Sequence, residues 1–235
     1  RHSRFANIDS NYSIFLYRGQ SQILTNTFEA NTGGDLIVVA SNTTGGSNLI
    51  QGNVFYDNTP SRSLVKLYTT SSRAIIRQNT FVSNTGKAIH IERGTADIHC
   101  NLFHSGGQNI IIDTHPEDVL ITQNSLYPGK NPHDFVAGFI CEPGNTLEVD
   151  ALNNYWGTTS STEIDARIFD YYDDFNRPKV VYSPIEPSAP LCASTYVSRT
   201  SFTSSSPDWL GQETFFTNTS TTIPPEDGYV GYLWS

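Results

Sequence analysis

A chain of 235 residues with 23 acidic and 14 basic side chains carries a formal charge of −9. With Lys and Arg scattered singly, that balance argues against nucleic acid and anionic membrane as partners. No apolar run is long enough to insert in a membrane. The 37% apolar content is modest, but 12% aromatics suffice for a line of core residues rather than a thick core.

In chain order, Arg1-His2-Ser3-Arg4-Phe5 and Ser13-Ile14-Phe15-Leu16-Tyr17 read as most of a coil whose beginning is missing. There is no Met, so the expectation is a mature product or an excised piece of something longer, with any signal peptide outside it. A phrase then recurs: an aliphatic residue, two variable positions, Asn, one variable position, a large apolar residue. It runs Ile23-Asn26-Phe28, Ile50-Asn53-Phe55, Ile76-Asn79-Phe81 and Ile98-Asn101-Phe103. A degenerate copy is Ile121-Asn124-Leu126, and a terminal one ends in Asn154 and Trp156. The steps between these Asn residues are 27, 26, 22, 23 and 30. Periods of this size mean stacked supersecondary units.

Each unit is β in character. Leu36–Val39, Leu64–Leu67, Ala88–Ile91 and Asn109–Ile112 are short, β-branched runs bounded by Gly, Asn, Ser or Pro. Turn residues separate them, as in Asn31-Thr-Gly-Gly, Asn58-Thr-Pro and Asn84-Thr-Gly, each Asn five positions after a repeated one. A coil of two or three short strands fits a parallel β-helix. Stacking places like residues about 4.8 Å apart. Asn26, Asn53, Asn79, Asn101, Asn124 and Asn154 are therefore expected to form a hydrogen-bonded ladder with an inward stack of Phe beside it. Asn131-Pro-His-Asp-Phe135 reads as an inserted loop in the longest step.

After Leu147 the character changes. Ser160 and Glu163 make a capping box for a short helix, with Ile164 and Ile168 on one face, placed to cover the final rung. Lys179–Pro184 reads as a short strand ended by Pro. The string Asn153-Asn-Tyr-Trp-Gly157, the Glu-Ile-x-x-Arg-Ile-Phe-Asp segment, the Asp173-Asp174 pair and Val181-Tyr182-Ser-Pro184 resemble the terminal module of right-handed parallel β-helix repeat proteins. That family has the pectate-lyase-like fold. The version here is similar to modules in large extracellular β-helix proteins of the bark beetle (anakonda) junction type. The resemblance covers about residues 1–185 and implies an all-β, right-handed parallel β-helix solenoid with a short C-terminal capping helix and an extended tail.

Fold alone does not assign function. Carbohydrate-active β-helices need clustered acids on one solvent face. Aligning the coils places Lys66, His90 and Ile111 in one outward row and Tyr68, Glu92 and Asp113 in the next, with His115 beyond. Glu92, Asp113 and His90 are the nearest approach to a catalytic set, yet apolar residues interrupt the row and no further acid stacks on them. Catalysis is not the expectation. Asp173 and Asp174 are the candidates for a metal, but two adjacent acids are only part of a calcium shell. The remaining histidines show no metal spacing, and no metal or cofactor is expected.

Sequons at Asn11, Asn42 and Asn218 point to a secreted or cell-surface glycoprotein. Of Cys100, Cys141 and Cys192, the preferred disulfide is Cys141–Cys192, leaving Cys100 buried or paired outside the chain. From Glu186 to Ser235 the chain is rich in Ser, Thr and Pro, with Trp209, Phe215, Phe216 and Tyr229–Trp234 available to dock on this or a neighbouring unit. The reading is thus residues 1–185 as helix plus cap and 186–235 as linker or tail. The function expected is an extracellular structural or adhesive module, one unit of a multidomain or head-to-tail assembly. Its partners would be further copies or neighbouring domains, and glycans. The alternative is a carbohydrate-binding or carbohydrate-active β-helix.

Overall fold

The computed structural model describes residues 3–17, 19–40, 46–115, 118–142, 147–193, 197–199, 202–204, 216–218 and 221–223. The chain divides into two compact units, Arg1–Thr195 and Tyr196–Ser235. The described part of the second holds two small antiparallel pairs: Val197–Arg199 with Thr221–Ile223, and Phe202–Ser204 with Phe216–Asn218.

The first unit is a parallel β-solenoid with almost no helix. One face is a six-stranded parallel sheet made of Arg4–Ala6, Thr27–Glu29, Val54–Tyr56, Thr80–Val82, Leu102–His104 and Ser125–Leu126. The rest of each coil belongs to a twelve-stranded sheet. Its long strands Ser63–Arg77 and Lys87–His99 bend from one face to the next. The bend lies at Gly94, whose φ is +106° and where a Cβ would fall 2.2 Å from Thr69 Oγ1, so no larger residue fits.

Alternation fills the interior with columns of like residues. Ile23, Ile50, Ile76, Ile98 and Ile121 stack, as do Ile37, Val65, Ile89, Ile110, Phe135 and Ile168. Phe5, Phe28, Phe55, Phe81 and Phe103 form a ring stack with centroids 4.7–4.9 Å apart and planes within 8°. Leu126 and Trp156 continue that column at its end.

Two corners bring the chain in and out of the six-stranded sheet, and both turn on left-handed residues. Thr25, Gln78, Cys100, Gln123 and Asn153 have positive φ at one corner, and Ala30, Asp57 and Ser83 at the other. Each costs on the order of 1–2 kcal/mol for a residue bearing a Cβ. Each is followed at once by a buried Asn that offsets the strain. At the first corner Asn26, Asn53, Asn79, Asn101, Asn124 and Asn154 form a continuous ladder. Each backbone N and Nδ2 donates to the next Oδ1 at 2.9–3.1 Å. At the second corner Asn31, Asn58 and Asn84 form another ladder, with bonds of 2.8–3.0 Å. Asn31, Asn58 and Asn84, expected only as turn residues, thus form a second ladder, and their constant five-residue offset is the signal that could have shown it.

The C-terminal end is closed by a cap that departs in detail from expectation. The helix is only Ser161–Asp165. Ser160 accepts from Glu163 N at 3.4 Å, but Ser160 N donates to Thr158 Oγ1, so half of the expected capping box forms. Ile164 is buried in the helix, whereas Ile168 has already joined a strand and pairs with Phe135. Under them lies the buried Arg167. Its guanidinium donates to Leu126 O at 3.1 Å, to Trp156 O, and to both oxygens of buried Asp134 at 3.1 and 3.3 Å. Carbonyls of the last rungs that would otherwise face a dry interior are thereby satisfied. Burial pushes the Asp134 carboxyl above its ordinary range, and the Arg167 charge opposes that rise.

The disulfide differs from expectation. Cys100 pairs with Cys192, with Cα atoms 5.1 Å apart, and Cys141 is a free, buried thiol. After the last strand the chain turns back along the first corner. Asn153 N donates to Pro184 O and Glu186 N to Asn154 O. This path delivers Cys192 to the column that holds Cys100. Cys141 instead lies beside Asn176, whose carbonyl accepts its backbone N–H at 2.8 Å.

Candidate functional site

The outward side of Ser63–Arg77, Lys87–His99 and Gln108–Ile112 is the face on which the candidate residues meet. Parallel register aligns Lys66, His90 and Ile111, as the coil alignment predicts. Ile89 and Ile91 point inward, so alternation turns His90 out between them. His90 Nε2 lies 2.7 Å from Asp113 Oδ2, one rung on. Lys66 makes an ion pair with Glu92 across the preceding step. The second expected row does not form as drawn. The register shifts between Ile91 and Arg93, so Tyr68 pairs with Arg93 rather than Glu92. The Arg93 guanidinium stands 5.2 Å over the Tyr68 ring.

The electrostatics of this face are those of closed pairs. The hydrogen bond from His90, with the charges of His90, Lys87 and Arg177, holds the Asp113 carboxyl below its ordinary range. Gly138 leaves room for that carboxylate, since a Cβ there would sit 1.9 Å from Asp113 Oδ1. Beyond the bend at Gly94, on the adjoining face, Arg73 and Asp97 form a two-pronged pair. His115 lies against Phe139, with centroids 5.5 Å apart. Asp113 can orient the His90 imidazole, but Glu92 is committed to Lys66. Glu92, Asp113 and His90 thus come together as halves of two separate pairs.

Asp173 and Asp174 serve the turn they occupy. Asp173 Oδ2 accepts from Asp170 N at 3.2 Å. Asp174 accepts from Asn176 N and Nδ2 through one oxygen and from Arg177 Nε through the other, each at 3.1 Å. Among the described residues, no group of three or more His, Cys, Asp or Glu side chains is placed to hold a metal ion. Among the described residues no helix is long and apolar enough to cross a membrane.

A cleft of about 670 Å³ lies elsewhere, at the cap, between Ile164, Ile168, Tyr172, Lys179, Val180 and Tyr182. Three of its polar side chains, Tyr182, Asp165 and Asp170, are engaged within the cap. Tyr182 Oη donates to Asp165 Oδ1 at 2.7 Å. Burial first, then Asp165, pushes that phenol up to about 12. Buried Asp170 accepts from Val180 N at 2.8 Å and from Tyr172 N at 3.0 Å.

Of the sequons, Asn11 is exposed on the strand Asp9–Leu16. Asn42 lies outside the described residues. Asn218 ends the strand Phe216–Asn218 of the second unit, and its side chain lies outside them. The tail aromatics Trp209, Phe215 and Tyr229–Trp234 lie outside them also. Comparison with protein families, with curated proteins and with solved structures gives no match for this chain.

Proposed function

We propose that this chain is an extracellular structural or adhesive module, a right-handed β-helix of the pectate-lyase-like kind that acts as a stiff spacer. It is one unit of a larger multidomain or head-to-tail assembly, with further copies or neighbouring domains as partners. The observation that carries this reading is the pairing on the outer faces. Glu92, Asp113 and Asp97 are each held by a base one rung away. A general acid or base needs a group free to exchange its proton with substrate, and these acids are committed. The Cys100–Cys192 bond and the exposed Asn11 sequon support an oxidising, extracellular compartment.

A second reading has its own observation. Arg93 over Tyr68 shares a face with the His90–Asp113 pair, and a glycan could stack and hydrogen-bond there. That favours a carbohydrate-binding or carbohydrate-active module of lyase, hydrolase or epimerase type. The test is a turnover screen on uronate polymers and neutral glycans with the native chain, Glu92→Gln and Asp113→Asn. No turnover in any of the three is the expected result. Turnover that vanishes in either variant overturns the structural reading. Sedimentation across a range of concentrations checks the assembly, which predicts growth of unlike-end contacts with concentration.

A further inference from the structure

The chain does not leave the solenoid where the last rung ends. Beyond the strand Lys179–Val181, Pro184 O accepts from Asn153 N at 2.7 Å and Glu186 N donates to Asn154 O at 3.0 Å. Further on, Cys192 Sγ lies 3.9 Å from Gln123 O and is bonded to Cys100. Asn153, Gln123 and Cys100 are successive members of one left-handed corner column. Residues 184–193 are therefore a strap that runs back along three rungs. Leu191 is fully exposed, while Ala193 is buried and donates locally to Pro190 O at 3.0 Å. Among the described residues, the covalent fastening of the far half of the strap is the disulfide.

The rung beneath does not need that bond to close. Asn101 completes its corner through Asn124 Oδ1 at 2.9 Å and Ile76 O at 2.8 Å. The Cys100 side chain stands outside this ladder, in a column where Thr25, Gln78 and Gln123 occupy the same place. The two sulfurs also differ in access. Cys100 is buried and Cys192 is partly exposed, so an incoming thiolate reaches the Cys192 sulfur first.

We propose that Cys100–Cys192 is a thiol-operated latch. Its reduction frees residues 187–193 from the rod, leaves the rungs folded, and lengthens the tether ahead of the second unit. The inference does not depend on the proposed function. The co-reactant is a small dithiol. Its thiolate attacks Cys192 Sγ, the S–S bond breaks, and Cys100 leaves as a thiolate that takes a proton from water. The second thiol of the reagent then displaces the Cys192 thiolate, which is protonated in turn. The reagent ends as a cyclic disulfide, having supplied both electrons. About seven freed residues add reach on the order of 15 Å.

The third cysteine makes the test specific. Cys141 has little exposed surface and its thiol is pushed up by burial, so it labels more slowly than a freed Cys192 thiol while the rod stays folded. The full chain is treated with graded dithiothreitol under native conditions and quenched with iodoacetamide. It is then read by mass spectrometry alongside amide exchange. Cys100 and Cys192 are expected to label while Cys141 lags behind. Exchange in peptides over residues 187–193 rises about tenfold or more, while peptides over Asn79 and Asn101 change less than about twofold. Cys192→Ser without reductant gives the same released strap. The latch is overturned by Cys141 labelling in step with the other two, or by a bond that resists reduction until the rod unfolds. It is equally overturned by strap exchange that stays at the native level in both the reduced chain and the variant.

Discussion

Replacing Asn79 by Leu isolates the ladder, because the two side chains are close in size and the position is fully buried. In the native protein Asn79 Oδ1 accepts from Asn53 N at 2.9 Å and from Asn53 Nδ2 at 3.0 Å. Its Nδ2 donates to Ile50 O at 2.9 Å, to Arg77 O at 3.0 Å and to Asn101 Oδ1 at 3.0 Å. Several of these partners keep a second bond after the change. Asn53 Nδ2 still reaches Ile23 O, and Asn101 Oδ1 still accepts from the backbone at position 79. One buried group loses its partner outright, Asn53 N–H, because Ile50 C=O keeps its place in the parallel ladder with the strand Ser63–Arg77. At about 1–3 kcal/mol for a stranded group, the expected loss is about 1–3 kcal/mol. A domain's whole stability is about 5–15 kcal/mol, so this is a large share. Urea unfolding followed by circular dichroism reads it as a lowered midpoint. Asn26→Leu is the graded comparison. Among the described residues, Asn26 Nδ2 donates to Asn53 Oδ1 and Asn26 Oδ1 accepts from the part-buried Ser3 N, so its loss is smaller. A loss below about 0.5 kcal/mol at Asn79, within the range of an ordinary surface change, refutes the claim that the ladder holds the corners.

Other consequences follow from the same geometry. Phe55→Ala removes the centre of the ring stack and costs about 3–5 kcal/mol in urea unfolding, whereas Phe55→Leu, the residue already standing in that column at Leu126, costs clearly less. Arg167→Met strands the Asp134 carboxylate under the cap and costs about 3–5 kcal/mol. Adding Asp134→Asn recovers part of that loss, and strictly additive losses in the double-mutant cycle would show that the two groups act independently. The Asp113 carboxyl is held down by His90, so its folded-state pKa lies below its unfolded one. Its contribution is then fully present above the unfolded value of about 3.9 and is lost as pH falls through the folded value. Native protein and Asp113→Asn should therefore differ in urea midpoint at pH 6 and begin to converge only as pH falls below about 3.9, toward the lower folded-state value. A gap that stays unchanged well below that pH contradicts the pairing.

Much of the rod is legible along the chain because a solenoid repeats its environment. When Asn26, Asn53, Asn79 and Asn101 occupy equivalent positions, period alone puts their side chains one rung apart. The same logic placed the Phe stack and the Lys66–His90–Ile111 row. Even the second ladder, at Asn31, Asn58 and Asn84, is written in a constant offset. Residues outside the period carried no such signal. A register shift at Arg93, one residue in extent, moved Tyr68 away from Glu92. Ile168 left the helix for a strand because the last rung offered Phe135 as a partner. Arg167 found Asp134 across the end of the rod, in a segment that occurs once. Cys192 met Cys100 because the chain reversed along the corner after Pro184, a turn of direction that no spacing encodes. The sequence by itself determined what stacks on what, since stacking is a local and repeated contact. Only the tertiary structure decided the end cap, the strap and the pairing of charges on the outer face, because those depend on where unrepeated chain is carried in space.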